Sequence, residues 1–572
     1  MSRLDWLVLG ATLGFIVAYG LWKGRRQRNL DSYILADRKL HWPTIALSIM
    51  ATQASAITFL STPGQAYADG MRFVQFYLGL PVAMVLLSMF AVPIFHKLKV
   101  YTAYEYLETR FDAKTRTLTA VLFLIQRGLS TGLTIYAPAL IVSVLLGWNL
   151  YATNLIIGTL VIIYTATGGT KAVSWTHVQQ MLIILGGMAT ALVIAIRSIP
   201  GDISVVEAVR VAGRMGRLNA IDFSFDLTTN YTFWSGMIGG LMVALSYFGC
   251  DQSQVQRYLT GETAAESRLG LLFNGLVKVP MQFFILFVGA MVFVFYQFVA
   301  PPLFFNTAER AKIGVSRFAS DYAELEDAHR ANFVQKRQYV RELVTAMRSH
   351  DDAAAHSAQE KVRAVQTRDA ATRKAAIDLI KRNDATADVS DTNYVFLSFV
   401  LRFLPVGVVG LVMAAIFCAS MSSTAAGLNA LSSTSVVDIY KRLINPNATE
   451  TDYVRMSKWL TVFWGVFAIA FAMYATRLGS LIEAVNKLGS YFYGSILAIF
   501  ILAFFTKTVG GTATCLGAIV GEATVLYFSF FTNLAWLWWN VIGCVVGVIA
   551  ALLIERLLPD NEPDEDEVAE AA

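Results

Sequence analysis

The sequence predicts an all-α polytopic membrane protein with about thirteen transmembrane helices, and three observations carry that prediction. Hydrophobic residues make up 56% of 572 residues, charged residues only 15%, and mean hydropathy is +0.53. Apolar runs of about 20 residues, the length a helix needs to cross a bilayer, recur along the whole chain. Lys and Arg gather in alternate short loops. A soluble core cannot hide so much apolar surface, which excludes a disordered chain and a nucleic-acid binder. The net charge of +5 is too small over this length to call for an anionic partner. The partners expected are the lipid bilayer and a small-molecule solute.

The spans fall near 4–22, 43–67, 73–95, 116–146, 150–167, 174–198, 232–256, 269–300, 393–425, 456–476, 480–505, 511–531 and 533–555. The first is no signal peptide, because its basic cluster (Lys23, Arg25, Arg26, Arg28) follows the apolar run. Loops 23–42, 96–115 and 440–458 are rich in Lys and Arg and share one side if the spans alternate, whereas the short loops opposite (68–72, 147–150, 477–479) hold only Arg72 and Arg477. The side rich in Lys and Arg is cytoplasmic. The N-terminus is then outside and the acidic tail 557–572 inside, in a cell membrane. Cys250, Cys418, Cys515 and Cys544 all lie in apolar stretches and form no CxxC pattern, so they read as packing residues.

The organisation follows. Residues 1–42 hold an extra helix and a cytoplasmic loop; 43–198 form a first five-helix unit, and 199–231 an external loop. Residues 232–506 form a second five-helix unit interrupted by an external insertion at 303–391; 507–556 add two helices. The insertion is rich in Ala, Arg, Lys, Glu and Asp, which favours helix, and offers few apolar side chains to bury against the membrane body.

Two spans are unlike lipid-facing helices. Span 43–67 contains LSIMATQASAITFLSTPG, dense in hydroxyls and ending in Pro63-Gly64, and span 232–256 is broken by Gly236, Gly239, Gly240 and Gly249. Counted from the second span they are the first and sixth of ten helices. Interrupted helices at corresponding places in two halves point to an inverted-repeat transporter; ordinary small-residue packing is the alternative. In AAIFCASMSSTAAGLNALSSTS, Ser422 and Ser423 follow Ala419 by one turn. A helical hydroxyl lies beside the carbonyl three or four residues earlier, so these groups converge. Carbonyls freed by unwinding at Ala51–Ala54 would complete a cage of five neutral oxygens. Such oxygens suit a monovalent cation such as Na+, whereas a divalent site wants carboxylates.

Six motifs, in order on this topology, carry a resemblance: TPGQAYADG, YEYLETRF, TIYAPAL, YTATGGTKAVSWT, DQSQVQRYL and SSTSVVDIY. The chain resembles the solute:sodium symporter family, most closely its iodide, monocarboxylate and multivitamin branch. The resemblance implies a leucine-transporter-type 5+5 inverted repeat, alternating access and Na+-driven symport. It puts the Na+ ligands on the backbone oxygens of Ala51, Ala54 and Ala419 and the hydroxyls of Ser422 and Ser423. It puts the gate aromatic on Tyr247, a substrate-lining hydroxyl on Thr58 and a family lysine on Lys278; Gln75 joins them as a candidate substrate contact. Sugar carriers of the family have Asn and Gln where this chain has Ala244 and Val485, which disfavours a typical hexose. Where members with a second Na+ site carry Asp after SWT and hydroxyls beyond the serine pair, this chain has His177, Ala425 and Ala426. One Na+ per solute follows.

Arg127 lies inside an apolar span, where a charge is costly. It can meet a substrate carboxylate, or serve as a structural ion pair. No HExxH, P-loop or paired-carboxylate helix speaks for an enzyme. The expectation is a Na+-coupled importer of a small organic solute, with a carboxylate or other anion among the candidates. A sugar or polyol symporter is the nearer alternative, and a membrane sensor on a transporter body the more distant one.

Overall fold

The computed structural model describes residues 1–24, 29–385, 387–474 and 481–558. The acidic tail beyond 558 and the basic residues Arg25, Arg26 and Arg28 lie outside these. Among the described residues, ten helices are long and apolar enough to span a bilayer, and a pair bent by 60° makes eleven. The expected count of thirteen is not reached by this measure, because Leu150–Ile163 and Ser235–Gly249 are apolar but short. Gly169 (φ 55°, ψ −173°) breaks the long helix Leu150–Arg197, and Ser235–Gly239 winds as a π-turn where Gly236 would drive a Cβ to 2.0 Å from the Gln75 carbonyl oxygen.

The helices that frame the site are α1 (Trp42–Gln53), α2 (Ala56–Asp69), α3 (Ala113–Leu146), α4 (Leu150–Arg197), α5 (Gly240–Gly249), α6 (Gln252–Leu259) and α7 (Ala264–Phe298). The insertion contributes α8 (Ala319–Arg348) and α9 (Asp352–Asn383), followed by α10 (Thr392–Phe403), α11 (Val408–Thr434) and α12 (Leu481–Phe505). The span read as 393–425 is thus two helices. Pro405, which removes a backbone donor, and Gly407, at φ 88°, separate them.

The bent pair is α1 and α2. The backbone leaves helical geometry at Ala54 (φ −83°, ψ 76°), and Ser55 opens the next helix in extended conformation. Beyond the break, α2 packs backbone to backbone on its neighbours. A Cβ on Gly64 would lie 1.8 Å from the Thr392 carbonyl oxygen, and one on Gly289 2.1 Å from that of Pro63. Only glycine allows this approach.

Two of the loop motifs meet at Arg116. Its guanidinium donates to Glu108 of YEYLETRF (2.7 Å) and to Asp438 of SSTSVVDIY (2.8 Å), and Thr102 donates to the same Asp438 oxygen (2.9 Å). The insertion is helical, folded as a hairpin of α8 and α9, and it is less detached than its composition implied. Val340, Val344 and Val362 join the main core, and Arg348 ion-pairs with Glu207 (2.6 Å) of the 199–231 loop. Helical spacing gathers its few apolar residues on one buried stripe.

Candidate functional site

The break at Ala54 and the hydroxyl run of α11 face one another. Ser422 Oγ donates to the carbonyls of Ala51 (3.0 Å) and Ala419 (2.9 Å), and Ser423 Oγ to those of Ala419 (3.1 Å) and Ser420 (3.2 Å). Ala51, Ala419, Ser422 and Ser423 therefore gather within hydrogen-bond reach, and Ala54 sits at the break one turn on. All five are buried. The donor set is hydroxyl and carbonyl oxygen throughout, which fits an alkali cation. Among the described residues no cluster of His, Cys, Asp or Glu has the make-up of a transition-metal or divalent site.

His177 is next to this cage. Its Nε2 is 3.2 Å from the Ser422 carbonyl oxygen and its Nδ1 2.9 Å from Ser48 Oγ. A carbonyl only accepts, so Nε2 carries the proton and Nδ1 accepts from the serine hydroxyl. The imidazole thus ties α1 to α11. Ala425 and Ala426 are fully buried and offer no ligand oxygen.

Against the cage lies a cavity of about 100 Å³ between the broken helix, α3, α5 and α12. Thr58, Arg127 and Tyr247 line it together, as the sequence proposed, and Ser423 lines it too. Ala244 and Val485, the two positions that depart from sugar carriers, are also in its wall. Gln53, Ser130, Asn486 and Tyr493 add to its polar surface, with further hydroxyls from Thr52, Ser55, Thr131 and Thr134. Of these, a Gln in the middle of an apolar run was the one visible signal.

Two expected contacts stand elsewhere. Gln75 donates to the Tyr231 carbonyl (2.9 Å) and accepts from the Asp222 amide (2.8 Å), so its amide holds the 199–231 loop. Lys278 is buried behind the cavity wall, its Nζ 5.8 Å from the ring centre of Tyr77, which lines the cavity on its other face. Both are polar groups in apolar spans, and the spans turn them away from the cavity.

Arg127 donates from Nη2 to Asp251 Oδ2 at the start of α6, and Tyr493 donates to that same oxygen at 3.2 Å. The Tyr247 ring lies 5.4 Å from the guanidinium carbon. The cavity floor is therefore a closed charge pair with an aromatic lid. Glu483 and Lys487 form the expected i,i+4 pair at 3.3 Å.

An oxygen cluster that shares a side chain with a cavity, both deep among membrane helices, is the arrangement a secondary transporter would use. The sodium:solute symporter profile matches residues 33–324 and 373–521, and the chain belongs to that family. Members of the family are transporters and not enzymes. The chain is 26% identical to the sodium/sialic acid symporter NanT of Aliivibrio fischeri, over 99% of this chain and 96% of that one. It is 34% identical to the human sodium/iodide cotransporter over 302 residues, 52% of this chain. That match spans about half the length of the cotransporter (46%). A solved substrate-bound, outward-open Na+-coupled sialic acid symporter superposes with a TM-score of 0.75 at 23% identity, covering 98% of both chains.

Proposed function

We infer that the protein is a Na+-coupled symporter that moves a small organic anion by alternating access, with one Na+ per solute. The observation that carries this reading is Ser423. Its hydroxyl belongs to the cation cage and to the cavity wall at once. Filling either compartment orders the same side chain, so each ligand lowers the ordering cost of the other, which is coupling in its simplest form.

The anion follows from the lining. Ala244 and Val485 give a sugar ring nothing to bond, and the Arg127 guanidinium, although paired with Asp251, lines the cavity as a group a carboxylate could share. Relatives named for sialic acid and for monocarboxylates carry solutes with a carboxylate. The ten long helices, the bent pair and the two short apolar helices together make thirteen crossings, consistent with a 5+5 core flanked by one helix before and two after. That arrangement has the N-terminus outside, the insertion outside and the tail in the cytoplasm of a cell membrane, as the Lys/Arg asymmetry requires.

Uptake of labelled lactate and labelled sialic acid into proteoliposomes tests the reading. Accumulation of at least one under an inward Na+ gradient, and its loss when K+ replaces Na+, is the expected result. Equal uptake in both ions overturns it.

A further inference from the structure

Where the insertion meets the membrane body there is a second cavity, of about 590 Å³, large enough for a sugar acid. Its walls include the end of α2 (Tyr67, Ala68), the end of α7 (Phe293, Gln297), the insertion hairpin (Lys336, Asp369, Arg373) and the start of α10 (Thr392, Val395). Arg217 of the 199–231 loop completes it.

The charges in this cavity do not balance. Its two carboxylates are already engaged: Asp391 by Arg373, and Asp369 by His329 Nδ1 at 2.6 Å. Lys336 is only 8% exposed, yet among the described residues no carboxylate oxygen comes within ion-pair distance of its ammonium. Arg217 donates from Nη1 to the Ala68 carbonyl and lies 4.4 Å from the Phe293 ring centre, while its Nε is buried with no partner. Neither cation has a carboxylate in direct ion-pair contact, and a buried cation without one loses hydration that a bound anion would replace. Burial lowers Lys336 to about 8, with Arg373 and Arg217 pressing the same way against Asp369, so it remains charged at neutral pH.

We propose that this cavity is a second anion site, in which Lys336 and Arg217 hold the carboxylate of a small organic acid and the Phe293 and Tyr67 rings receive its carbon skeleton. Arg217 also lines a neighbouring cavity of about 340 Å³ with Asp69, Tyr231 and Glu483, and Ile482, the residue before Glu483, is in the wall of the central cavity. Arg217 is the side chain shared by the insertion cavity and this neighbouring one. The insertion thus concentrates an anion at the mouth of the transport route. Identifying that anion with the transported solute rests on the function proposed above; the site itself does not.

The test is thermal unfolding of the purified full-length protein in Na+-free potassium buffer, where the coupled central site is not loaded. L-lactate and its neutral isostere L-lactamide are titrated at constant ionic strength. Lactate is expected to give a saturable rise of about 1–2 °C in unfolding temperature and lactamide none. The rise should vanish in Lys336→Gln and in Arg217→Gln, persist in Lys336→Arg and persist in Ser422→Ala. No saturable rise in the unaltered protein, or an equal rise in both Gln variants, overturns the site. Loss of the rise in Ser422→Ala overturns it as well, by assigning the effect to the central cavity.

Discussion

Arg127 of α3 and Asp251 at the head of α6 close the floor of the central cavity as an ion pair, and the Tyr493 hydroxyl holds the carboxylate from a third helix at 3.2 Å. Breaking one side of a buried pair leaves the other charge without a partner and typically costs about 3–5 kcal/mol. Arg127→Gln and Asp251→Asn are each expected to lower the unfolding temperature sharply. The double variant should recover most of the loss, as measured by thermal unfolding in detergent. Additive losses in the double variant would mean the two residues act independently.

Ser422→Ala with Ser423→Ala removes both hydroxyls of the cage and leaves its carbonyls. Both side chains are small and buried, so folding should survive while Na+-stimulated uptake falls at least tenfold. The quantity to follow is the half-saturation for Na+; an unchanged value rules out the cage.

The stoichiometry follows from what surrounds His177. Its Nε2–H points at the Ser422 carbonyl and so offers no lone pair there, and Ala425 and Ala426 add no oxygen. A Hill coefficient for Na+ near one, and a Na+-to-solute flux ratio of one in proteoliposomes, are expected. A ratio of two would require a second set of ligands elsewhere.

Asp388, between the insertion and α10, has its carboxyl raised to about 6 by burial, although the Tyr394 hydroxyl donates to it at 2.7 Å. A carboxyl raised above its unfolded value near 3.8 contributes stability that is complete below that value and is lost as pH rises through about 6. Asp388→Asn should therefore stabilise the protein above pH 6 by about 2–3 kcal/mol and make no difference near pH 4. Unfolding temperatures compared at pH 4.5 and 7.5 provide the check.

Ser357 is exposed on the insertion hairpin. Ser357→Cys should react with a membrane-impermeant maleimide in intact cells. Reaction only after permeabilisation would invert the topology.

The clustering of Ser422 and Ser423 on the Ala419 carbonyl was legible because it depends on local geometry: a hydroxyl three or four residues after a carbonyl lies beside it in any helix. The bend at Ala54 was legible for a related reason, since hydroxyls and Pro63-Gly64 are out of place in a lipid-facing span. The cavity wall was less so. Arg127 and Asp251 are 124 residues apart, and nothing local says that α12 brings Tyr493 to both. Gln75 and Lys278 illustrate the converse, because a polar residue in an apolar span signals a partner without saying whether that partner is solute or protein. The hold of the insertion on the body was hidden in the same way, in contacts between distant loops.

The cage around Ser422 is built of neutral oxygens, and this fixes how the protein responds to voltage. Each elementary charge carried across a membrane couples to its potential by about 2.3 kcal/mol per 100 mV. With the Arg127–Asp251 pair neutral overall and no carboxylate in the cage, the charge that crosses is that of the ion plus that of its cargo. One Na+ with one monoanion moves no net charge, so the membrane potential adds nothing and the chemical gradients alone drive uptake. The same cage loaded with a neutral solute would be electrogenic. A current recorded across a planar membrane reads the charge of the cargo directly.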